Sequence, residues 1–135
     1  MSKTFILIKP DAIERGLVGE IITRIEKAGF NIKLIKSIQA TERKLEAHYS
    51  HIVDKPFFND LVEYMTRTKV ICIVVEAPNA VARWRKMMGA TNPDDADLGS
   101  IRGDLGVGFG EKMENLVHGS DSDAAADFEI GLWLA

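Results

Sequence analysis

Val70-Ile71-Cys72-Ile73-Val74-Val75-Glu76 is the stretch that decides the fold. Its apolar residues are mostly β-branched, which crowds a helix but packs well on a pleated surface. The run is continuous rather than alternating, so it reads as a central strand. Upstream, Phe58, Leu61, Val62 and Met65 fall at helical spacing, and Lys55-Pro56 separates them from an earlier helix. Thr41 caps that helix, which carries Leu45, His48, Tyr49 and Ile52 along one stripe. Before it, residues 31–38 form a strand whose alternation slips between Leu34 and Ile35. Ile21, Ile22, Ile25 and Ala28 mark a helix closed by Gly29, and residues 4–8 are an apolar strand ended by Pro10. Downstream, Asn79 caps a helix that runs through Met88 and stops near Gly89. Residues 89–113 are rich in Gly, Pro and Asp and read as one long irregular segment, which in a compact domain is usually functional or disordered. Residues 115–118 are a short strand, and Ser122 caps a final Ala-rich helix.

The resulting order, β-α-β-(αα)-β-α-β-α, predicts an α+β, ferredoxin-like sandwich: a four-stranded antiparallel sheet with helices covering one face. The 135 residues suit one domain, spanning 1–135. With 46% hydrophobic and 27% charged residues, the composition is that of a globular chain rather than a disordered one. No apolar run approaches the roughly 18 residues of a membrane span, and residues 4–8 are too short for a signal-peptide core. The expectation is a soluble, cytoplasmic protein. Seventeen basic against twenty acidic residues give a net charge of −3, which disfavours nucleic acid as the primary ligand. An anionic ligand must therefore meet a local cluster of cations. Cys72, the single cysteine, lies in the central strand and reads as a small buried residue.

His118 is the first candidate for chemistry. It ends Asn115-Leu116-Val117 and precedes Gly119-Ser120-Asp121, where a strand breaks into a turn. Ser120 or Glu129 could bond one ring nitrogen, fixing the tautomer and leaving the other nitrogen as a nucleophile. His48 and His51 lack the further ligands a zinc site needs and read as helix histidines. Lys9, Arg85 and Arg102 are cations near strand ends and turns, and Thr91 is a turn hydroxyl. Phe57 and Leu61, one helical turn apart, could pack under a loop or offer a platform for a base. Gly103, Gly106, Gly108 and Gly110 lack the phosphate-loop pattern, and a flexible loop is the simpler reading.

Taken together, the chain resembles the nucleoside diphosphate kinase family along essentially its whole length. Asn115-Leu-Val-His118-Gly-Ser-Asp121 is similar to the family signature N-x-x-H-G-S-D. Ile8-Lys9-Pro10-Asp11, His48-Tyr49, Pro56-Phe57-Phe58, Gly89-Ala-Thr91-Asn-Pro93, Ile101-Arg102-Gly-Asp104 and Glu129-Ile-Gly-Leu-Trp133 follow the family in order. The resemblance implies a ping-pong exchange in which a nucleoside triphosphate gives its γ-phosphoryl to His118, which passes it to a nucleoside diphosphate. It implies that Lys9, Arg102 and Tyr49 surround the transferred group, while Arg85 and Thr91 hold the other phosphates. Lys9 and Asn115 meet the ribose hydroxyls, Phe57 and Leu61 flank the base, and Glu129 with Ser120 holds the imidazole. Mg2+ arrives on the nucleotide, with Asp121 nearby through water, and the chain forms a homo-oligomer, tetramer or hexamer.

The stretch from Arg102 to Asn115 is a few residues longer than the family pattern, with Met113-Glu114 before the asparagine. That departure motivates an alternative: a catalytically impaired scaffold or regulatory nucleotide-binding module of the same fold. A protein-histidine phosphocarrier ranks last, since it gives no reason for Phe57, Asn115 and the phosphate cations.

Overall fold

The computed structural model describes residues 1–107 and 114–135. Gly108, Gly110 and Met113 of the sequence reading above lie outside the described residues. Four strands, β1 (Ser2–Ile8), β2 (Asn31–Ile38), β3 (Val70–Ala77) and β4 (Val117–Gly119), form one antiparallel sheet in the order β2-β3-β1-β4. β3 is interior, as its continuous apolar run predicts. β2 does carry an irregularity, but its register shifts between Ile32 and Leu34 rather than between Leu34 and Ile35, which pair regularly with Val74 and Ile73.

Helices cover both faces of the sheet, not one. Alternation along the strands sends Ile6, Ile8, Ile73 and Val75 into one core, and Phe5, Leu7, Cys72 and Val74 into another. Because β1 and β3 are apolar at odd and even positions alike, neither face can be left to water. The first core is closed by α2 (Val18–Lys27) and α5 (Ala80–Met88). The second is closed by α3 (Glu42–His48), α4 (Phe58–Met65) and α7 (Asp123–Leu134). Each buried Ile or Leu contributes about 1.5–3 kcal/mol. No described helix is long and apolar enough to cross a membrane.

Local differences from the sequence reading have simple causes. Pro10 does end β1, but it also opens a short helix, α1 (Pro10–Glu14), because its fixed φ and missing N–H suit a first helical position. The Thr41 hydroxyl accepts from the Lys44 N–H as expected, yet α3 ends at His48, and Ile52 lies in a separate 3-10 turn. Asn79 does not cap α5 with its side chain; it sits at φ 52°, and the Ser2 hydroxyl accepts the Ala80 N–H instead. The segment after Gly89 is not wholly irregular. Pro93–Asp95 is a 3-10 turn, and α6 (Ile101–Leu105) starts where the Ser100 hydroxyl accepts the Gly103 N–H. Gly103 is therefore helical rather than part of a flexible glycine loop. β4 begins two residues later than predicted, since Leu116 takes φ 76° and breaks the extended run. Ser122 caps α7 as expected.

Gly119 meets the fully buried Trp84 without room for a side chain. A Cβ there would lie 2.3 Å from Trp84 Cδ1 and 2.5 Å from Nε1, and that nitrogen donates to the His118 carbonyl at 3.3 Å. The rigid indole cannot turn aside, so Gly119→Ala should destabilise the fold by about 3 kcal/mol, read as a lower urea midpoint. An unchanged midpoint would mean that Trp84 is not wedged there.

Candidate active site

A cleft of about 460 Å³ opens where β1 ends beside β4, lined by Lys9, His48, Tyr49, Arg85, Thr91, Arg102, Asn115, His118, Asp121 and Glu129 among others. The antiparallel pairing of Leu7 with His118 sets this geometry, because Lys9 leaves one strand where His118 is held on the next. A more open groove of about 750 Å³ runs alongside and shares Arg85 and Asp121, but it holds neither Lys9, Arg102 nor a histidine. The smaller cleft is the one that gathers the histidines with Lys9 and Arg102.

Lys9 is 6% exposed, and its Nζ donates to Asn115 Oδ1 at 2.9 Å. The Asn115 amide in turn donates to the Thr91 carbonyl at 2.9 Å. Arg102, also buried, donates to the carbonyls of Asn115, Gly89 and Val117 at 3.0, 3.1 and 2.6 Å. Beneath them the Asp11 carboxylate accepts from the Leu116 N–H at 3.1 Å and from the Tyr64 hydroxyl, which holds Leu116 in its left-handed conformation. Asn115 is thereby turned toward Lys9 on a short, fixed loop.

Burial lowers the Lys9 pKa to about 8, with Arg102 adding repulsion and Asp11 opposing it. Burial, then Arg85, lowers the Arg102 pKa to about 10. Both remain cations at neutral pH. A chain of net charge −3 thus concentrates positive charge in one cleft.

His118 Nε2 lies 2.9 Å from Glu129 Oε1, and the Ser120 hydroxyl donates to the same oxygen at 2.6 Å. Burial pushes the Glu129 carboxyl up, but the hydrogen bonds from His118 and Ser120 outweigh it and hold the group below its ordinary range. It is a carboxylate at neutral pH. Burial holds the His118 pKa below its ordinary value although the Glu129 bond opposes this, and Lys9 and Arg102 push the same way as burial. A neutral imidazole facing an ionised carboxylate must donate from Nε2, so Nδ1 keeps the lone pair.

The family model described as nucleoside diphosphate kinase matches residues 2–135. The nucleoside diphosphate kinase of Geotalea daltonii is 51% identical over 130 residues, covering 96% of this chain and 93% of that protein. The chain belongs to the nucleoside diphosphate kinase family. The apo crystal structure of nucleoside diphosphate kinase from Encephalitozoon cuniculi superposes with a TM-score of 0.94 at 43% identity, covering 99% of this chain and 89% of that one. A halophilic nucleoside diphosphate kinase from Halobacterium salinarum, solved in complex with CDP, has a TM-score of 0.91 at 40% identity, covering 97% and 86%. The chain is accordingly a nucleoside diphosphate kinase, a phosphotransferase with the ferredoxin-like fold, and the impaired-scaffold reading is not favoured.

Of the residues singled out in this kinase sequence, Lys9, Tyr49, Arg85, Thr91, Arg102, Asn115, His118, Asp121 and Glu129 share the cleft, and buried Ser120 braces Glu129. Phe57 and Leu61 stand apart from its lining: Phe57 is 44% exposed where α4 begins, and Leu61 is buried in the second core. Sequence reasoning passed over Asp11, Tyr64 and above all His48. His48 was read as an ordinary helix histidine, but it is buried beside His118.

Burial, followed by the neighbouring His118, lowers the His48 pKa from 6.5 to about 3. Between those two values the unfolded chain binds a proton that the native state refuses, so His48 makes stability fall as the pH drops from about 6.5 towards 3. His48→Gln should flatten the fall in urea midpoint with pH across that window. Parallel profiles for the two proteins would show that His48 titrates normally.

Proposed function

We propose that this nucleoside diphosphate kinase exchanges the γ-phosphoryl of a nucleoside triphosphate through His118. The bond at 2.9 Å between His118 Nε2 and Glu129 carries the reading, because it leaves Nδ1 as the nucleophile in a cleft that also holds Lys9 and Arg102. The Nδ1 lone pair forms the N–P bond as the bond from the γ-phosphorus to the bridging oxygen breaks, and that electron pair leaves on the diphosphate. Nε2 keeps its proton throughout, shared with Glu129, so no separate general base is required. A nucleoside diphosphate then takes the phosphoryl by the reverse route. Phosphoryl transfer asks chiefly for position and positive charge, which Lys9 and Arg102 supply, aided by the Tyr49 hydroxyl. Burial and the nearby Glu129 raise the Tyr49 pKa, keeping that hydroxyl a donor.

Arg85 and Thr91, exposed on the cleft wall, take the remaining phosphates, and Lys9 with Asn115 meets the ribose. The exposed Phe57 ring stacks on a base from outside the cleft, backed by Leu61 one helical turn away. A stacked platform reads no base edge, so broad base use follows, and the Halobacterium salinarum relative was solved in complex with the nucleotide CDP. Mg2+ bound to the nucleotide would neutralise phosphate charge. Glu129 is committed to His118 and Ser120, which leaves exposed Asp121 as the carboxylate able to meet water on that ion. A homo-oligomer, tetramer or hexamer, suits edge strand β2, where Leu34 and Ile35 are exposed, and a cytoplasmic setting suits a nucleotide substrate.

Incubation with γ-labelled ATP should give a stoichiometric, acid-labile phosphoenzyme that GDP discharges as GTP. Exchange without any trapped phosphoenzyme would support direct transfer instead.

A further inference from the structure

Trp133 and His48 stand 85 residues apart and share a bond that the transfer step above does not use: the indole Nε1–H donates to His48 Nδ1 at 3.0 Å. Both side chains are buried. An indole nitrogen only donates, so Nδ1 must offer its lone pair, and the proton of the neutral imidazole sits on Nε2. That Nε2 faces Glu129 Oε2 at 3.8 Å, whereas His118 and Ser120 both engage Oε1. The two imidazoles also meet edge to face, with centroids 4.6 Å apart at 70°.

Ligand atoms of His48, His118 and Glu129 lie within 4.8 Å of one another, which invites a transition-metal reading. The indole bond argues against it. A metal on His48 Nε2 needs a lone pair there, and the proton would then move to Nδ1 and confront the Trp133 N–H. The cluster suits a chain of fixed donors and acceptors better than a ligand set.

We propose that His48, its tautomer set by Trp133, is a positioning residue that presents Nε2–H to the second oxygen of Glu129 and steadies the His118 ring edge-on. Across 3.8 Å, longer than a hydrogen bond, that N–H biases the carboxylate electrostatically as His118 gains positive character, and the edge-on packing keeps Nδ1 aimed at the phosphorus. This rests on His118 being the phosphoryl acceptor.

In the full-length protein with 15N-labelled histidine, NMR should find His48 protonated on Nε2 with Nδ1 bare, and Trp133→Phe should release it to a mixture of tautomers. His48→Phe keeps the ring and removes both nitrogens. It should slow phosphoenzyme formation by about tenfold or more with KM for ATP little changed, as a loss of alignment does. His48→Gln, whose amide N–H can reach the same place, should restore most of the rate. A proton on Nδ1, or wild-type kinetics in His48→Phe, would overturn the proposal. So would stoichiometric binding of Zn2+ alone in equilibrium dialysis that His48→Phe abolishes. Failure of the wild-type protein to form phosphoenzyme would instead defeat the His118 reading, so the two failures are distinguishable.

Discussion

His118→Gln should reduce nucleotide exchange by at least about 10⁴-fold, because it removes the atom proposed to carry the phosphoryl group between half-reactions. The glutamine amide N–H can still donate to the Glu129 carboxylate, which keeps its bond from Ser120, so the fold and the cleft should persist. ADP affinity should change little, since Lys9, Arg85 and Arg102 are untouched. The two readouts together matter. A protein that binds ADP and cannot exchange has lost chemistry, whereas one that loses both has lost its site. Substantial exchange in His118→Gln would remove the imidazole from the mechanism.

Arg102 carries the second large effect, through stability and catalysis at once. Three of its five N–H groups bond the carbonyls of Asn115, Gly89 and Val117, tying the loop before β4 to the end of α5. Arg102→Ala strands buried acceptors and should cost roughly 3 kcal/mol in urea denaturation. Arg102→Lys keeps the charge, but one ammonium on a flexible stem cannot reproduce a planar fork reaching carbonyls on separate segments. Both variants should lose about 10²–10³-fold in kcat/KM, with Arg102→Lys the more stable of the two. Full activity in Arg102→Lys would mean that charge alone, not the fork, organises the cleft.

Much of this architecture was legible because its signals are local. The apolar run of β3, the Thr41 and Ser122 caps and the irregularity of β2 each sit within a few residues. The missed helices failed for a local reason too: Pro10 stops a strand and starts a helix equally well, and Gly103 with Asp104 gives α6 a loop's composition. Helices on both faces were implied by the unbroken apolar runs 5–8 of β1 and 70–75 of β3, which a one-sided sandwich cannot accommodate.

The site divides in the same way. His118 stands out at its strand end, with Ser120 and Glu129 close by in sequence, and the resemblance to the family points to Lys9, Arg85 and Arg102, which line the same cleft. His48 and Trp133 were not, since nothing in a helix stripe reveals that one ring nitrogen meets an indole 85 residues away. Asp11 was quoted within a motif yet given no role, because its task is to hold Leu116 at a backbone angle visible only after folding.

The position of the phosphoryl group on the ring is the most direct test. Phosphoenzyme prepared with ATP and examined by 31P and 15N NMR should carry phosphorus on Nδ1 of His118, with Nε2 still protonated toward Glu129. Phosphorus on Nε2, or on any other side chain, would contradict the account.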